Sequence, residues 1–297
     1  RLPQMTRRPP PAANASACRN EPTRRLILGA AATPLIPAAF AAEARADLSL
    51  RIEPAVAYLE RVADGQALNV DLVLVNRGDI ALDIDRLQLS AYDAKGKLLL
   101  RRFVDGNGVR PSTGVLSVRA VPAGATVAVF QPFPPFAAEL PVARVRFDLE
   151  ASGPKGQPAL QRSVEAATTT YRNGASFVLP LRGRMINYDG HDILGHHRRF
   201  DVHFAPIAAM GFSKNFMRYS YDLVTVDDAG ELSRGDVKDN ASWFGFGAAV
   251  VAVADGTVVL ARGDAPDNRQ FDQGKLATDP MVLFGNVVVI DHGRIIA

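Results

Sequence analysis

The stretch that decides the fold is Leu68-Asn69-Val70-Asp71-Leu72-Val73-Leu74-Val75-Asn76, in which apolar residues recur at every second position. This period places them on one face of an extended strand, because successive side chains of a strand point to opposite faces. Similar runs, separated by turns rich in Gly, Asn and Asp, are Leu48–Ile52, Ile80–Leu89, Lys97–Phe103, Val115–Val121, Ala125–Phe130, Val142–Leu149 and Leu160–Thr168. Short strands at this spacing predict an immunoglobulin-like antiparallel β-sandwich over residues 47–168.

The alternation lapses in Thr-Thr-Thr-Tyr-Arg-Asn-Gly at 168–174, which we interpret as a linker to a second domain over residues 174–297. Strands of that domain are predicted at Phe177–Leu181, Arg218–Val224, Ala248–Ala254 and Val287–Ile290, with Asp255-Gly256 as a two-residue hairpin turn. The fold class expected for the chain is therefore all-β, a sandwich followed by a second antiparallel β-sheet domain.

The composition limits the partners and the metal chemistry. Of 297 residues, 47% are hydrophobic and 22% charged, which is typical of a globular protein with room for two domains. The net charge of +3 comes from an arginine-rich stretch before residue 26, and the remainder is slightly acidic, so no nucleic-acid partner is expected. With Cys18 as the one cysteine, any metal must be held by His, Asp or Glu.

Residues 1–46 have the pattern of a disordered leader followed by an export signal. After a Pro-, Ala- and Arg-rich start, Thr23-Arg24-Arg25-Leu26-Ile27-Leu28 opens an apolar run to Ala42 that ends in small residues of cleavage-site type. The run is short and is broken by Pro34 and Pro37, so no stable membrane span is expected. We predict export to the periplasm or the exterior by the Sec or twin-arginine route; the alternative is a buried Ala-rich helix.

Histidines cluster in the second domain. Four of the five lie within thirteen residues, namely His191, His196, His197 and His203. Imidazole is the commonest metal ligand and the commonest base near neutral pH, so the cluster marks a candidate site. The alternative is a solvated loop whose histidines form local hydrogen bonds.

Asp222 lies in a stretch that is otherwise aromatic and β-branched. A carboxylate at mid-strand among apolar neighbours is costly unless it is paired or coordinates a metal. We therefore expect at Asp222 either a metal or a salt bridge to Arg198, Arg199 or Arg218.

Five motifs follow one another in the last third of the chain. They are His197-Arg198-Arg199, Met217-Arg218-Tyr219-Ser220-Tyr221-Asp222-Leu223-Val224, Gly235-Asp236, the run Trp243–Val259, and Gly285-Asn286-Val287-Val288-Val289-Ile290-Asp291-His292-Gly293. In this order they resemble the lysostaphin- or LytM-like zinc metallopeptidases, over about residues 187–293. Those enzymes cleave peptide cross-links of peptidoglycan, so the resemblance implies an exported zinc (Zn2+) endopeptidase whose partners are peptidoglycan peptides.

The resemblance also implies ligands. In that family one zinc is held by a His, an Asp and the first His of a later His-x-His pair, and Asp222 matches the Asp. The commonest spacing puts the ligand His where this chain has Arg218, but members with an Arg-Tyr-x-x-Asp strand carry an upstream His-Arg. His197 is therefore the implied ligand, with His196 as its substitute. The third ligand and the catalytic histidines are expected beyond Ala297, so no catalytic residue is assigned and the chain as printed is expected to have little or no activity.

Two alternatives remain at this stage. One is a degenerate family member that binds cell-wall peptide or a partner without hydrolysis, as Arg218 at the usual ligand position permits. The other is a structural or adhesive sandwich protein that holds no zinc. The sequence does not determine the oligomeric state.

Overall fold

The computed structural model describes residues 45–63, 65–154, 159–171, 176–267, 273–276 and 278–293, all within one compact unit. The predicted leader and export signal lie outside these residues, except for Arg45 and Ala46. The described part of the chain is nearly all β, which confirms the predicted all-β class. It contains no helix with the length and apolar character needed to span a membrane.

Eight of the described strands form one curled sheet in the order β4-β3-β7-β8-β1-β2-β6, with β5 pairing with β3. Their bounds are β1 (Leu48–Val62), β2 (Gly65–Asn76), β3 (Leu82–Tyr92), β4 (Leu98–Asp105), β5 (Ala120–Val121), β6 (Thr126–Val129), β7 (Arg144–Ser152) and β8 (Leu160–Thr170). A short 3-10 helix, Ser112–Val115, precedes β5. We call this part the sandwich.

The sheet is mixed rather than purely antiparallel, which corrects the prediction in one place. Strand β1 pairs antiparallel with β2, but its Ala57–Leu59 stretch pairs parallel with Thr168–Thr170 of β8. The parallel pair joins the two halves of the sheet, because β1 belongs with β2 and β6 while β8 belongs with β7 and β3.

One hydrophobic core lies between the two halves of the curled sheet. Alternate residues supply it, as the period of two predicts; on β2 and β7 they are Leu68, Val70, Leu72, Leu74, Val145, Phe147, Leu149 and Ala151. Strand β2 is buried along nearly its whole length, including its polar residues Asn69 and Asp71. Its second face must therefore be covered by another part of the chain.

Residues 176–293, which we call the C-terminal segment, form two short ribbons joined by long loops. Strand β9 (Met185–Asp189) pairs antiparallel with β10 (Asp222–Thr225), and β11 (Thr257–Arg262) pairs antiparallel with β12 (Val287–Asp291). Helical elements are α1 (Ala205–Ala209) and the 3-10 turns Asn240–Ser242, Gln273–Lys275 and Pro280–Phe284. Among its described hydrophobic residues only Val202 and Val226 are buried, so this segment has hardly any core of its own.

Several predicted elements of this segment are wrong. Phe177–Leu181 and Ala248–Ala254 are not strands, although Val178 N donates to Val253 O at 2.8 Å and Val251 N to Pro180 O at 2.9 Å. Pro180 has no amide hydrogen and cannot extend a ladder. Because β11 pairs with β12, Asp255-Gly256 does not close a hairpin with the residues before it.

The strand predicted at Arg218–Val224 begins only at Asp222, whereas the strand predicted at Val287–Ile290 is confirmed as β12.

Candidate metal centre

The β9–β10 ribbon places two carboxylates at one end. Asp189 is the last residue of β9 and Asp222 the first of β10, and the two are partners across the ribbon. The loop after Asp189 turns back tightly, with Gly195 N donating to Asp192 O at 2.7 Å. A Cβ on Gly195 would lie 2.4 Å from Gly190 O, so this return requires glycine. The loop thereby carries the following two histidines to the carboxylates.

His197 is held at one ring nitrogen and free at the other. The side chain is buried, and Nδ1 lies 2.9 Å from Ser220 Oγ and 3.2 Å from Ser220 O. Because the Ser220 hydroxyl donates to Met217 O at 2.9 Å, its lone pair is left to accept from His197. Nδ1 therefore carries a proton, and Nε2 is the ring nitrogen that can offer a lone pair to a ligand.

That free nitrogen faces Asp222. His197 Nε2 lies 3.4 Å from Asp222 Oδ2, longer than a good hydrogen bond. Two atoms that each lie about 2.0–2.1 Å from a tetrahedral zinc stand about 3.3–3.4 Å apart. The structure thus brings the two sequence-predicted ligands to a separation that suits one shared metal ion.

His196 and Asp189 lie beside this pair. His196 Nδ1 is 3.6 Å from Asp189 Oδ2, and its side chain is 69% exposed. Ligand atoms of Asp189, His196 and His197 all lie within 4.8 Å of one another, a possible metal-binding triad. Sequence reasoning missed Asp189, and its closeness in the sequence to the histidine cluster is the one signal that could have indicated it.

The environment predicted for Asp222 is wrong. Its side chain is 54% exposed, because residues 217–220 form a turn and leave Asp222 at the start of the strand. The expected salt bridge to an arginine is not found among the described residues either: Arg218 pairs with Asp71, and Arg198 donates to Leu68 O. Proximity to His197, rather than the cost of burial, supports a metal at Asp222.

The remaining histidines do not join this site. His191 Nε2 and His203 Nε2 each lie 3.6 Å from a glutamate of β1, Glu60 and Glu53 respectively. His292 Nδ1 lies 2.8 Å from Asp255 O, next to the β11–β12 ribbon, and it was not assigned as a ligand. The histidine cluster of the sequence therefore divides between the candidate metal site and the sandwich surface.

No family model and no curated protein sequence matches the chain. A solved structure titled "X-ray structure of Northeast Structural Genomics Consortium target SoR45" aligns with 42% of this chain and 86% of its own, at 11% identity and a TM-score of 0.23. A likeness of this size carries no argument about function.

Proposed function

We propose that this protein is an exported zinc metalloendopeptidase that hydrolyses peptide bonds of bacterial peptidoglycan, with His197 and Asp222 as zinc ligands. The observation that carries the proposal is the 3.4 Å separation of His197 Nε2 and Asp222 Oδ2, with His197 Nδ1 committed to Ser220. The order of motifs shared with the lysostaphin-like enzymes supports the same reaction.

The donor set suits zinc. A neutral imidazole and a carboxylate are ordinary zinc ligands, and His196 and Asp189 lie close enough to add a further donor. Zinc in such a site supplies a Lewis acid that polarises a carbonyl and activates water near neutral pH. The exposure of Asp222 leaves the carboxylate side of the centre open to an approaching peptide.

Metal analysis tests the ligands. The full-length protein is dialysed against zinc and then against metal-free buffer. Inductively coupled plasma mass spectrometry is expected to find about one zinc per chain. His197→Ala and Asp222→Ala should each lose most of it, whereas His292→Ala, the matched control, should retain it. A wild-type protein without zinc, or full stoichiometry in both ligand variants, would contradict the site.

Peptidoglycan digestion tests the reaction. Purified sacculi incubated with the full-length protein should release soluble peptides, and the release should stop when the zinc is chelated. The competing candidate is a non-catalytic binder of cell-wall peptide, which is favoured by the burial of Arg218 at the family's usual ligand position. Zinc-independent sedimentation with sacculi without any release of peptides would support the binder instead.

A further inference from the structure

We infer that the sandwich positions a ligand of the proposed metal site: Asn69 and Asp71 of β2, acting through Arg218, fix the orientation of His197. We call these three residues positioning residues, because none of them contacts His197 Nε2 or the Asp222 carboxylate. The inference rests on the proposed function for its zinc readout, but the contacts that carry it do not depend on a metal.

The first step is an ion pair on the outer face of β2. Arg218 Nη1 donates to Asn69 Oδ1 at 2.8 Å, and Arg218 Nη2 donates to Asp71 Oδ2. Asn69 is 0% and Asp71 4% exposed, and Arg218 of the C-terminal segment contacts both. A buried charge that has lost its partner is strongly unfavourable, which makes each member of the pair hold the other in place.

The second step leads from Arg218 to the imidazole. Arg218 belongs to the turn 217–220, which is closed by the bond from Ser220 N to Met217 O at 2.9 Å. Both the carbonyl oxygen and the hydroxyl of Ser220 contact His197 Nδ1. Anchoring the turn on β2 therefore sets the position of the two acceptors that select the tautomer of His197.

A second connection to β2 comes from Arg198, the residue that follows His197. Arg198 Nη2 donates to Leu68 O at 3.0 Å, and Asn215 Nδ2 donates to the carbonyls of His197 and Arg198 at 2.9 Å each. Burial lowers the pKa of Arg198, while the negative charge of Asp71 opposes this effect. Both connections end within Leu68–Asp71.

This arrangement gives Arg218 a role. It stands four residues before Asp222, but its guanidinium reaches β2 and binds two acceptors at once through its planar fork. In the lysostaphin-like pattern position 218 would supply a histidine ligand, but here Arg218 attaches the site to the sandwich. The histidine ligand is instead His197, in the loop after β9, and the turn that Arg218 anchors supports this loop.

The test uses Arg218→Met and the milder Asp71→Asn, with Arg184→Met as the matched control, since Arg184 makes an exposed ion pair with Asp228 in the same segment. Long-range proton–nitrogen NMR of the imidazoles in the metal-free protein should show His197 in one tautomer, protonated on Nδ1, in the wild type and the control. Both test variants should show exchange between tautomers. If Arg218→Met does not fold, Asp71→Asn decides.

The second measurement is zinc affinity by competition with a coloured chelator. We expect a loss of about 10- to 100-fold in both test variants and no change in the control. An unchanged tautomer together with affinity within twofold of wild type would overturn the positioning role. A wild-type protein that binds no zinc, yet shows the tautomer change in the variants, would refute the proposed function and leave the positioning role standing.

Discussion

His196 and His197 are neighbours in the sequence, but they differ in every property that bears on metal binding. His197 is buried and has one ring nitrogen fixed by Ser220, whereas His196 projects into solvent beside Asp189. An immobilised ligand loses little freedom when it binds a metal, whereas a mobile one loses more. His197 is therefore the better placed of the two.

We expect His197→Ala to abolish measurable zinc binding and His196→Ala to weaken it by about tenfold or less. The physical reason is that His196 and Asp189 add donors at the edge of the centre without forming its fixed part. Isothermal titration of the metal-free variants with zinc measures the difference. Full binding by His197→Ala together with loss in His196→Ala would mean that the wrong neighbour was chosen.

Ser220→Ala removes the hydroxyl that selects the tautomer of His197, but it leaves the carbonyl oxygen of the same residue in contact with Nδ1. We therefore expect a loss of zinc affinity of about tenfold, the low end of the range for residues that orient a metal ligand. Chelator competition measures it, with Ser213→Ala as the control. A loss as large as that of His197→Ala would show that the hydroxyl has a direct role.

Of the two grounds for expecting a metal ligand at Asp222, family resemblance and burial, the structure contradicts the second. His197 and Asp222 came from family resemblance, and the structure places them together. The argument from burial of Asp222 failed because it assumed an unbroken strand, whereas Ser220 bonds locally to Met217 and forms a turn. Asp189 was missed because a lone Asp before Gly has the character of an ordinary turn residue.

Among the elements, the corner after β2 shows how one side chain can hold a sandwich edge. Asn76 is fully buried, and its Nδ2 donates to Ile80 O at 2.7 Å and to Val121 O and Pro122 O at 3.1 Å each. Its Oδ1 accepts from Gly78 N at 3.0 Å. The side chain therefore satisfies backbone groups of two separate segments, the loop after β2 and the end of β5.

Asn76→Ala should destabilise the fold by about 2–3 kcal/mol, because it leaves buried backbone groups without partners. Asn107→Ala, in an exposed turn of similar composition, should change the free energy of unfolding by less than about 0.5 kcal/mol. Urea unfolding followed by circular dichroism compares them. Equal effects of the two substitutions would mean that the corner does not depend on Asn76.

The main strands of the sandwich were predictable, although the strand predicted at Val115–Val121 is confined to Ala120–Val121; the elements of the C-terminal segment largely were not predictable. A period of two is a local consequence of burying one face, so β2, β3 and β7 can be read directly from the chain. The run Ala248–Ala254 is apolar without such a period, and its backbone partners lie near Val178. Backbone hydrogen bonds between residues so far apart in the sequence depend on the complete fold, so a local pattern does not predict them.

On the scale of the whole molecule, the sandwich meets the C-terminal segment through one buried ion pair and through contacts between glutamates and histidines, as well as through packing. Acidic residues of β1 and β2 face basic residues of the segment; the pairs are Glu53 with His203, Glu60 with His191, and Asp71 with Arg218. Arg218 and Asp71 are 147 positions apart, and nothing in the sequence around either residue indicates that they pair with each other. This surface therefore had no local signature in the sequence.

Glu60 provides a pH test of that surface. Burial raises the pKa of Glu60, but contacts with His191 and Asn69 and the charge of Arg198 outweigh burial and hold the pKa below its ordinary value of 4.5. A carboxyl with a lower pKa in the folded state stabilises the fold above pH 4.5, and this contribution is lost as the pH falls through the folded pKa. Glu60→Gln should therefore be less stable than wild type at pH 7.

The deficit of Glu60→Gln should shrink as the pH is lowered from 4.5 to 3, because the wild-type carboxyl then takes up a proton and comes to resemble the amide. Urea unfolding at pH 7, 4.5 and 3 measures it. Glu139→Gln, at an exposed site, should match wild type throughout. A deficit that stays constant over this range would show that the shape of Glu60 matters rather than its charge, and the electrostatic account of this contact between the sandwich and the C-terminal segment would fail.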